Sequence, residues 1–257
     1  MTKTQEASGF SAGLDTLATA GLNCAAFVPA NMLASPPTIE VGPGSGLLLF
    51  LNLGPGFGAQ TPYQHGVDAH PFDTRSRALL QEFLRIWQPS AASPAKVMYP
   101  GQTKLDLRRL LELARVQHRS LLGIGIRPDC GPWLAVRGAL WCSLTGAERD
   151  LLQTRYPPLD PASHPCLHCA DRPCVAACPA AAISHRKPDT AMPTKDLQSC
   201  LDYRSAVSSP CAHRCFARER CPVGSDARYP PQQVRYHYSV SLSALHHYRT
   251  RRPPTAL

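Results

Sequence analysis

The cysteines are the feature that most constrains how this chain can fold. Eleven cysteines occur in 257 residues, and eight of them fall between Cys166 and Cys221. In a chain without a secretory signal, clustered thiols bind metal more often than they form a disulfide framework. The other three are scattered, and we expect them to be small buried apolar residues: Cys24, Cys130 and Cys142.

The first part of the cysteine segment has the order of a known metal-binding run. It reads Cys166-Leu-His-Cys169-Ala-Asp-Arg-Pro-Cys174-Val-Ala-Ala-Cys178-Pro179. This is close to the bacterial ferredoxin run C-x2-C-x2-C-x3-C-P, whose fourth cysteine ligates the other cluster in two-cluster proteins. The run departs from that pattern in one place, because four residues rather than two separate Cys169 from Cys174.

A second run follows with wider spacings. Cys200 is separated by ten residues from Cys211, which is followed after three residues by Cys215 and after five more by Cys221-Pro222. Like the first run, it ends in Cys-Pro. The two runs together supply eight thiolates, which suffices for two [4Fe–4S] clusters with four ligands each.

Zinc is the alternative that the spacings leave open. Cys166-x2-Cys169 and Cys211-x3-Cys215 both fit the spacing of zinc ligands. His168 and His213 lie inside these motifs and could ligate either metal. Two Cys-Pro endings and eight rather than four cysteines favour iron–sulfur clusters.

The cysteine region resembles the ferredoxin-type module of epoxyqueuosine reductases and cobalamin-dependent reductive dehalogenases. In that module a four-cysteine run is followed by a lone cysteine before an aromatic stretch, here Cys200-Leu-Asp-Tyr203, and then by a second run that ends in Cys-Pro. Residues 131–140 (GPWLAVRGAL) also resemble the strand that leads into the cysteines of those enzymes. The resemblance implies two ligand sets: Cys166, Cys169, Cys174 and Cys221 for one cluster, and Cys178, Cys200, Cys211 and Cys215 for the other.

The same resemblance implies a nitroreductase-like fold for the first part of the chain, since the N-terminal domain of those enzymes has that fold and holds a cobalamin close to a cluster. The chain departs from the family in two respects. Residues 60–150 lack its acidic catalytic motif, and no helical repeats follow the cysteines. We therefore assign no catalytic residue.

Helices and strands alternate before the cysteines, which indicates an α/β or α+β layer. We predict an α+β protein with an α/β domain over residues 1–155 and a ferredoxin-like 4Fe–4S domain with a C-terminal helix over residues 156–257. Four prolines in Tyr156–Pro165 mark the linker. The predicted elements are a helix running into a strand over residues 13–30, strands at Gly46–Leu53, Lys96–Tyr99, Leu121–Ile126 and Trp133–Cys142, and helices at Asp73–Gln88, Lys104–Arg119 and Pro230–Tyr248.

The charge is positive and uneven. The formal net charge is +9, and residues 161–257 contain 13 Lys/Arg against 6 Asp/Glu. A basic segment can bind nucleic acid, but oxidised [4Fe–4S] clusters with four thiolates are anionic and would offset this charge. We therefore expect a redox partner protein rather than nucleic acid, and we expect the terminal helix to pack its aromatic side chains over the clusters.

These observations lead to one predicted function and two alternatives. The prediction is an iron–sulfur electron-transfer protein with two [4Fe–4S] clusters. The first alternative is a reductase with a corrinoid or a flavin in the N-terminal domain, fed by the clusters, and the second is a zinc-stabilised nucleic-acid or interaction module. Because the N-terminus is polar and no apolar run reaches 18 residues, we expect no membrane span and a cytoplasmic location.

Overall fold

The computed structural model describes residues 3–33, 44–62, 70–89, 95–101, 105–184 and 195–251. The protein is 46% helical and 18% strand, which confirms the expectation of a mixed α and β protein. The strands are β1 (Cys24–Pro29), β2 (Ser45–Leu53), β3 (Lys96–Tyr99), β4 (His118–Arg119), β5 (Gly125–Ile126) and β6 (Leu134–Ser143). The helices are α1 (Lys3–Thr19), α2 (Gly56–Ala59), α3 (Pro71–Trp87), α4 (Leu107–Leu113), α5 (Gly146–Arg155), α6 (Pro173–Ala176), α7 (Leu197–Ser205), α8 (Phe216–Glu219) and α9 (Pro231–Arg251).

The chain divides into two compact units. The first contains Met1–Gln117 and Leu134–Pro161, and the second contains His118–Trp133 and Ala162–Leu257. The sequence led us to place a single boundary at residue 155. The division instead falls after Pro161, and it assigns residues 118–133 to the cysteine-containing unit.

The first unit is built on a four-stranded sheet with the order β1-β2-β6-β3. Each described pairing in it is antiparallel. An α/β domain would require parallel strands joined by crossover helices, so the first unit is α+β and the α/β prediction for it is wrong. The alternation of helices and strands along the sequence does not determine strand direction, which depends on how each connection returns to the sheet.

Helices α1 and α3 cover one face of this sheet. Their contact is aromatic: the Phe10 ring lies 5.7 Å from Phe83 and 5.3 Å from Trp87, and Phe50 of β2 lies 5.0 Å from Phe83, measured between centroids. Phe83, Trp87 and Leu80 follow the helical spacing of α3 and are buried. The predicted amphipathic helix is thereby confirmed, although it begins at Pro71 rather than at Asp73.

The opposite face carries a second core, formed by β1, β2 and β6 with α4 and β3. Helix α4 is shorter than predicted. It begins after Asp106, whose carboxylate accepts a hydrogen bond from the amide of Arg109 at 3.0 Å. It ends before Arg115, whose φ of 53° is left-handed. The core residues of this face include Val28, Leu47, Leu49, Leu51, Met98, Leu110, Leu111 and Trp141.

The described part of the second unit has little regular strand structure. Strands β4 and β5 form a two-residue antiparallel hairpin, and only Gly125–Ile126 of the predicted strand Leu121–Ile126 is extended into it. The remainder turns, because the Ser120 hydroxyl donates to the Ile124 carbonyl at 2.6 Å and closes the loop. In the part of the chain that the structure describes, no helix is both long and apolar enough to cross a bilayer.

Candidate metal centres

The eight clustered cysteines lie on short helices and turns of the second unit. Helix α6 carries Cys174 and helix α7 carries Cys200, while Cys215 immediately precedes α8. Helices α6 and α8 pack against each other. Each of these one-turn helices is followed by a Cys-Pro pair. The two runs therefore end with the same local structure, a short helix and then Cys-Pro.

Four cysteines form what we call the first set: Cys166, Cys169, Cys174 and Cys221. The other three thiols each raise the pKa of Cys174, and Cys166 has the largest effect of the three. Cys221 also neighbours Cys166 and Cys169. The last cysteine of the second run therefore lies with the first three cysteines of the first run.

The first set is embedded in apolar surroundings. Cys166 and Cys221 are each 8% exposed and belong to a core cluster with Leu121, Leu122 and Ile126. Burial raises the pKa of both thiols, and it raises the pKa of Cys174 to about 11, with the neighbouring thiols adding to the effect. Two hydrogen bonds act in the opposite direction, because they stabilise thiolate: the amide of Leu121 donates to Cys166 and that of Val223 to Cys221.

The other four cysteines form the second set: Cys178, Cys200, Cys211 and Cys215. All four line one cavity of about 260 Å³. Burial raises the pKa of Cys211 to about 11. The thiols of Cys215, Cys178 and Cys200 add to this effect, in that order of size. The last cysteine of the first run therefore lies with the three leading cysteines of the second run. Cys200, the cysteine of this set that is most remote in the sequence, is among them.

Two polar side chains stand beside the second set. Arg204 of α7 lies close to Cys200, Cys215 and Cys211, and burial lowers the pKa of its guanidinium. Tyr238, on α9, lines the same cavity beside Cys215, and burial raises the pKa of its phenol. As expected, the terminal helix places an aromatic side chain over the cysteines.

Residues 118–133 are the part of the site that sequence reasoning missed. They lie outside the cysteine segment, yet Leu121, Leu122 and Ile126 complete the apolar cluster around Cys166 and Cys221. The same segment supplies the Leu121 amide that bonds Cys166. The run Leu121–Ile126, LLGIGI, reads as a buried strand in the sequence. Its apolar character could have indicated burial, but not burial against thiols.

The two histidines that could have served as zinc ligands are exposed and engaged in other hydrogen bonds. Nε2 of His168 lies 3.0 Å from the Ala162 carbonyl oxygen, and Nδ1 of His213 lies 2.9 Å from the Ser239 hydroxyl. Across the described ranges, no three His, Cys, Asp or Glu side chains converge closely enough to ligate a single ion. Thiolates bound to one tetrahedral zinc stand about 3.8 Å apart, whereas a four-iron cube distributes its four thiolates over four irons.

The three scattered cysteines are buried, as expected: Cys24, Cys130 and Cys142. Cys142 lies in the sheet of the first unit, and burial raises the pKa of its thiol far above the ordinary value. Cys24 belongs to the core cluster of the same sheet. The packing role predicted for these two residues agrees with their position.

The sequence matches no protein-family model and no curated protein. The assignment of a function therefore depends on the cysteine geometry and on the side chains around it.

Proposed function

We propose that the second unit binds two [4Fe–4S] clusters, one at each cysteine set, and that the protein transfers electrons. The observation that carries this proposal is the crossing of the two runs. Cys221 lies with the leading cysteines of the first run, and Cys178 lies with those of the second. In two-cluster ferredoxins the last cysteine of each run likewise ligates the far cluster. The ferredoxin-like character of this unit is part of the same proposal.

The donor sets fit such clusters. Each set offers four thiols and no other metal-ligating side chain is needed, which matches the ligation of a [4Fe–4S] cluster by four cysteines. Arg204 lines the cavity of the second set, and its Nε is a buried donor with no hydrogen-bond partner among the described residues. A sulfide-bearing group in this cavity would provide the missing acceptor.

The residues around each set determine how the clusters would behave. A bound cluster supplies storage for single electrons. The chain contributes amide donors to the sulfurs of Cys166 and Cys221, and it excludes water from the first set with Leu121 and Leu122. At the second set it places a cation, Arg204, beside three of the four thiols. Hydrogen bonds, net charge and exposure are the quantities that set the potential of such a centre.

Anaerobic purification followed by metal and sulfide analysis tests the proposal. We expect about eight irons and about eight sulfides per chain, with a brown colour. About four irons would remove one of the two clusters, and zinc without sulfide would replace the proposal by the structural zinc module. Bound corrinoid or flavin in the same preparation would establish the reductase alternative, in which the first unit would have a nitroreductase-like fold and hold the cofactor.

The partner is proposed to be a protein that donates or accepts single electrons. The reductase alternative shares this electron path but places the chemistry in the first unit. In that unit a buried cation, Arg137, donates to Asn52 at 2.7 Å and lies over the rings of Phe57 and Phe72. Because these groups already engage Arg137, it does not single out a bound cofactor, and the electron-transfer function is the better supported of the two.

A further inference from the structure

The second cysteine set has a polar wall made of Arg204 and Tyr238, which belong to different helices. We propose that these two side chains raise the reduction potential of the cluster at the second set, without a comparable effect at the first. This inference rests on the proposed function and adds residues that tune one particular cluster. It assigns to the terminal helix α9 a role in setting the potential.

Arg204 is fixed in place by helix α9. Its Nη2 donates to the Tyr238 carbonyl and, at 2.8 Å, to the Ser241 hydroxyl. The guanidinium carbon also lies 4.6 Å from the centroid of the Tyr238 ring. These contacts account for the position of the guanidinium, but they leave its Nε buried and unpaired within the described residues. The side chain also lines the cavity of the second set, close to Cys200, Cys215 and Cys211.

The direction of the effect follows from charge. Reduction adds an electron to an anionic cluster, so a fixed cation close to its ligands stabilises the reduced form more than the oxidised form. Arg204 is partly buried, and a partly buried charge is screened less than one in open solvent. Its ordinary pKa is high enough for the guanidinium to keep its proton in spite of burial.

Tyr238 acts on one ligand in the same sense. It lines the same cavity beside Cys215, and a hydroxyl that donates to a ligand sulfur withdraws electron density and favours the reduced cluster. The effect of one neutral donor is smaller than that of a full charge. The first set has different neighbours, since Arg172 and Arg228 lie near Cys166 and Cys221 respectively, so the two clusters can be changed independently.

A redox titration of the intact, cluster-loaded chain, monitored by electron paramagnetic resonance, tests the inference. The test variants are Arg204→Gln and Tyr238→Phe. The matched controls are Arg235→Gln, which removes an exposed cation from α9, and Tyr236→Phe, which removes a different hydroxyl from the same helix. Cys200→Ser identifies the signal of the second set, because it should disturb that signal alone. Iron and sulfide content is measured first for each variant.

We expect Arg204→Gln to lower the reduction potential of the second-set signal. The expected size is a tenfold decrease in the ratio of reduced to oxidised cluster at a given potential, which corresponds to about 59 mV for a one-electron couple. Tyr238→Phe should lower it by less, Arg204→Lys should restore part of the shift, and the controls should leave it unchanged. Loaded variants whose second-set potential equals that of the wild type would overturn the inference while leaving the clusters established. Wild-type protein without iron or sulfide would instead overturn the proposed function, and the inference with it. If Arg204→Gln fails to load, Tyr238→Phe decides the matter by the same criterion.

Discussion

The backbone of Gly131 lies against the carbonyl oxygen of Val223, so closely that a Cβ atom on the glycine would stand 2.0 Å from that oxygen. Gly224 makes the reciprocal contact, since its Cβ would stand 2.2 Å from the carbonyl carbon of Cys130. Both glycines have left-handed φ angles, of 59° and 70°. These two backbone contacts pack residues 118–133 against the segment that follows Cys221. They thereby hold Leu121 in its position beside the first cysteine set.

We predict that Gly131→Ala and Gly224→Ala destabilise the second unit and reduce its iron content. A left-handed φ costs a side-chain-bearing residue ~1–2 kcal/mol, and the overlap with backbone atoms adds to this because neither chain can yield without moving the other. Urea unfolding and iron analysis measure the two effects. Gly146→Ala is the matched control, since nothing lies within 4 Å of its added Cβ. Equal iron content and equal unfolding midpoints in all three variants would contradict this account of the packing.

The sequence leads to a prediction for the two cysteine sets, but it contains no comparable signal for the side chains around them. The resemblance to a ferredoxin-type module implies that Cys178 and Cys221 each lie with the cysteines of the other run, and the Cys-Pro endings that carry this resemblance are a local pattern. Arg204 and Tyr238 could not be found in the same way. They lie 34 residues apart, in helices of 9 and 21 residues respectively, and their pairing depends on how α9 packs across α7. Residues 118–133 were missed for a similar reason, because their return to the second unit leaves no pattern in the sequence.

In the first unit, elements with a strong local pattern were predicted well. Lys96–Tyr99 has the expected bounds, and β2 begins one residue before the predicted Gly46. Local patterns failed where a single residue ends an element: the left-handed Arg115 ends α4, and the chain then forms strand β4 inside the range predicted as helix. Sheet topology was not predictable either, since antiparallel and parallel pairings of buried strands have the same apolar character.

We predict that single cysteine variants fall into two groups that cross the runs. Cys178→Ser should share its spectroscopic change with Cys211→Ser, and Cys221→Ser should share its change with Cys166→Ser. Each should reduce the iron content from about eight toward about four, since one four-iron cluster loses a ligand. Mössbauer and paramagnetic resonance spectra of the four variants measure the grouping. If Cys178→Ser behaved like Cys166→Ser instead, the sites would be sequential, as in zinc modules.

We predict that Cys24→Ala and Cys142→Ala keep the full iron content. Both residues belong to the first unit, at 3% and 2% exposure, and pack in its sheet. Each variant loses about one buried methyl-sized group, so the free energy of unfolding should fall by ~1 kcal/mol. Iron analysis and thermal unfolding of the purified variants are the measurements. A loss of iron in a variant that retains its circular dichroism spectrum would show that our division of the cysteines is wrong.

The last prediction concerns the metal-free chain at alkaline pH. The pKa values of Cys174 and Cys211 are raised from 9.0 to about 11 by burial and by neighbouring thiols. Between about pH 9 and pH 11 the unfolded chain therefore releases protons that the folded chain retains. Stability falls with rising pH wherever the folded state binds more protons, so these thiols contribute stability that is fully present below pH 9 and lost as the pH passes 11.

Urea unfolding of the metal-free protein at pH 8 and pH 10.5 measures this loss. A control variant without the two thiols keeps all the other titrating groups of the wild type. In that control, Cys174→Ala combined with Cys211→Ala, the decline of the unfolding midpoint between the two pH values should be smaller than in the wild type. Loaded protein should also show a smaller decline, since metal ligation requires thiolate and the ligand protons have already left. An equal decline in the metal-free wild type and the double variant would mean that the two thiols ionise in the folded chain as they do in the unfolded one.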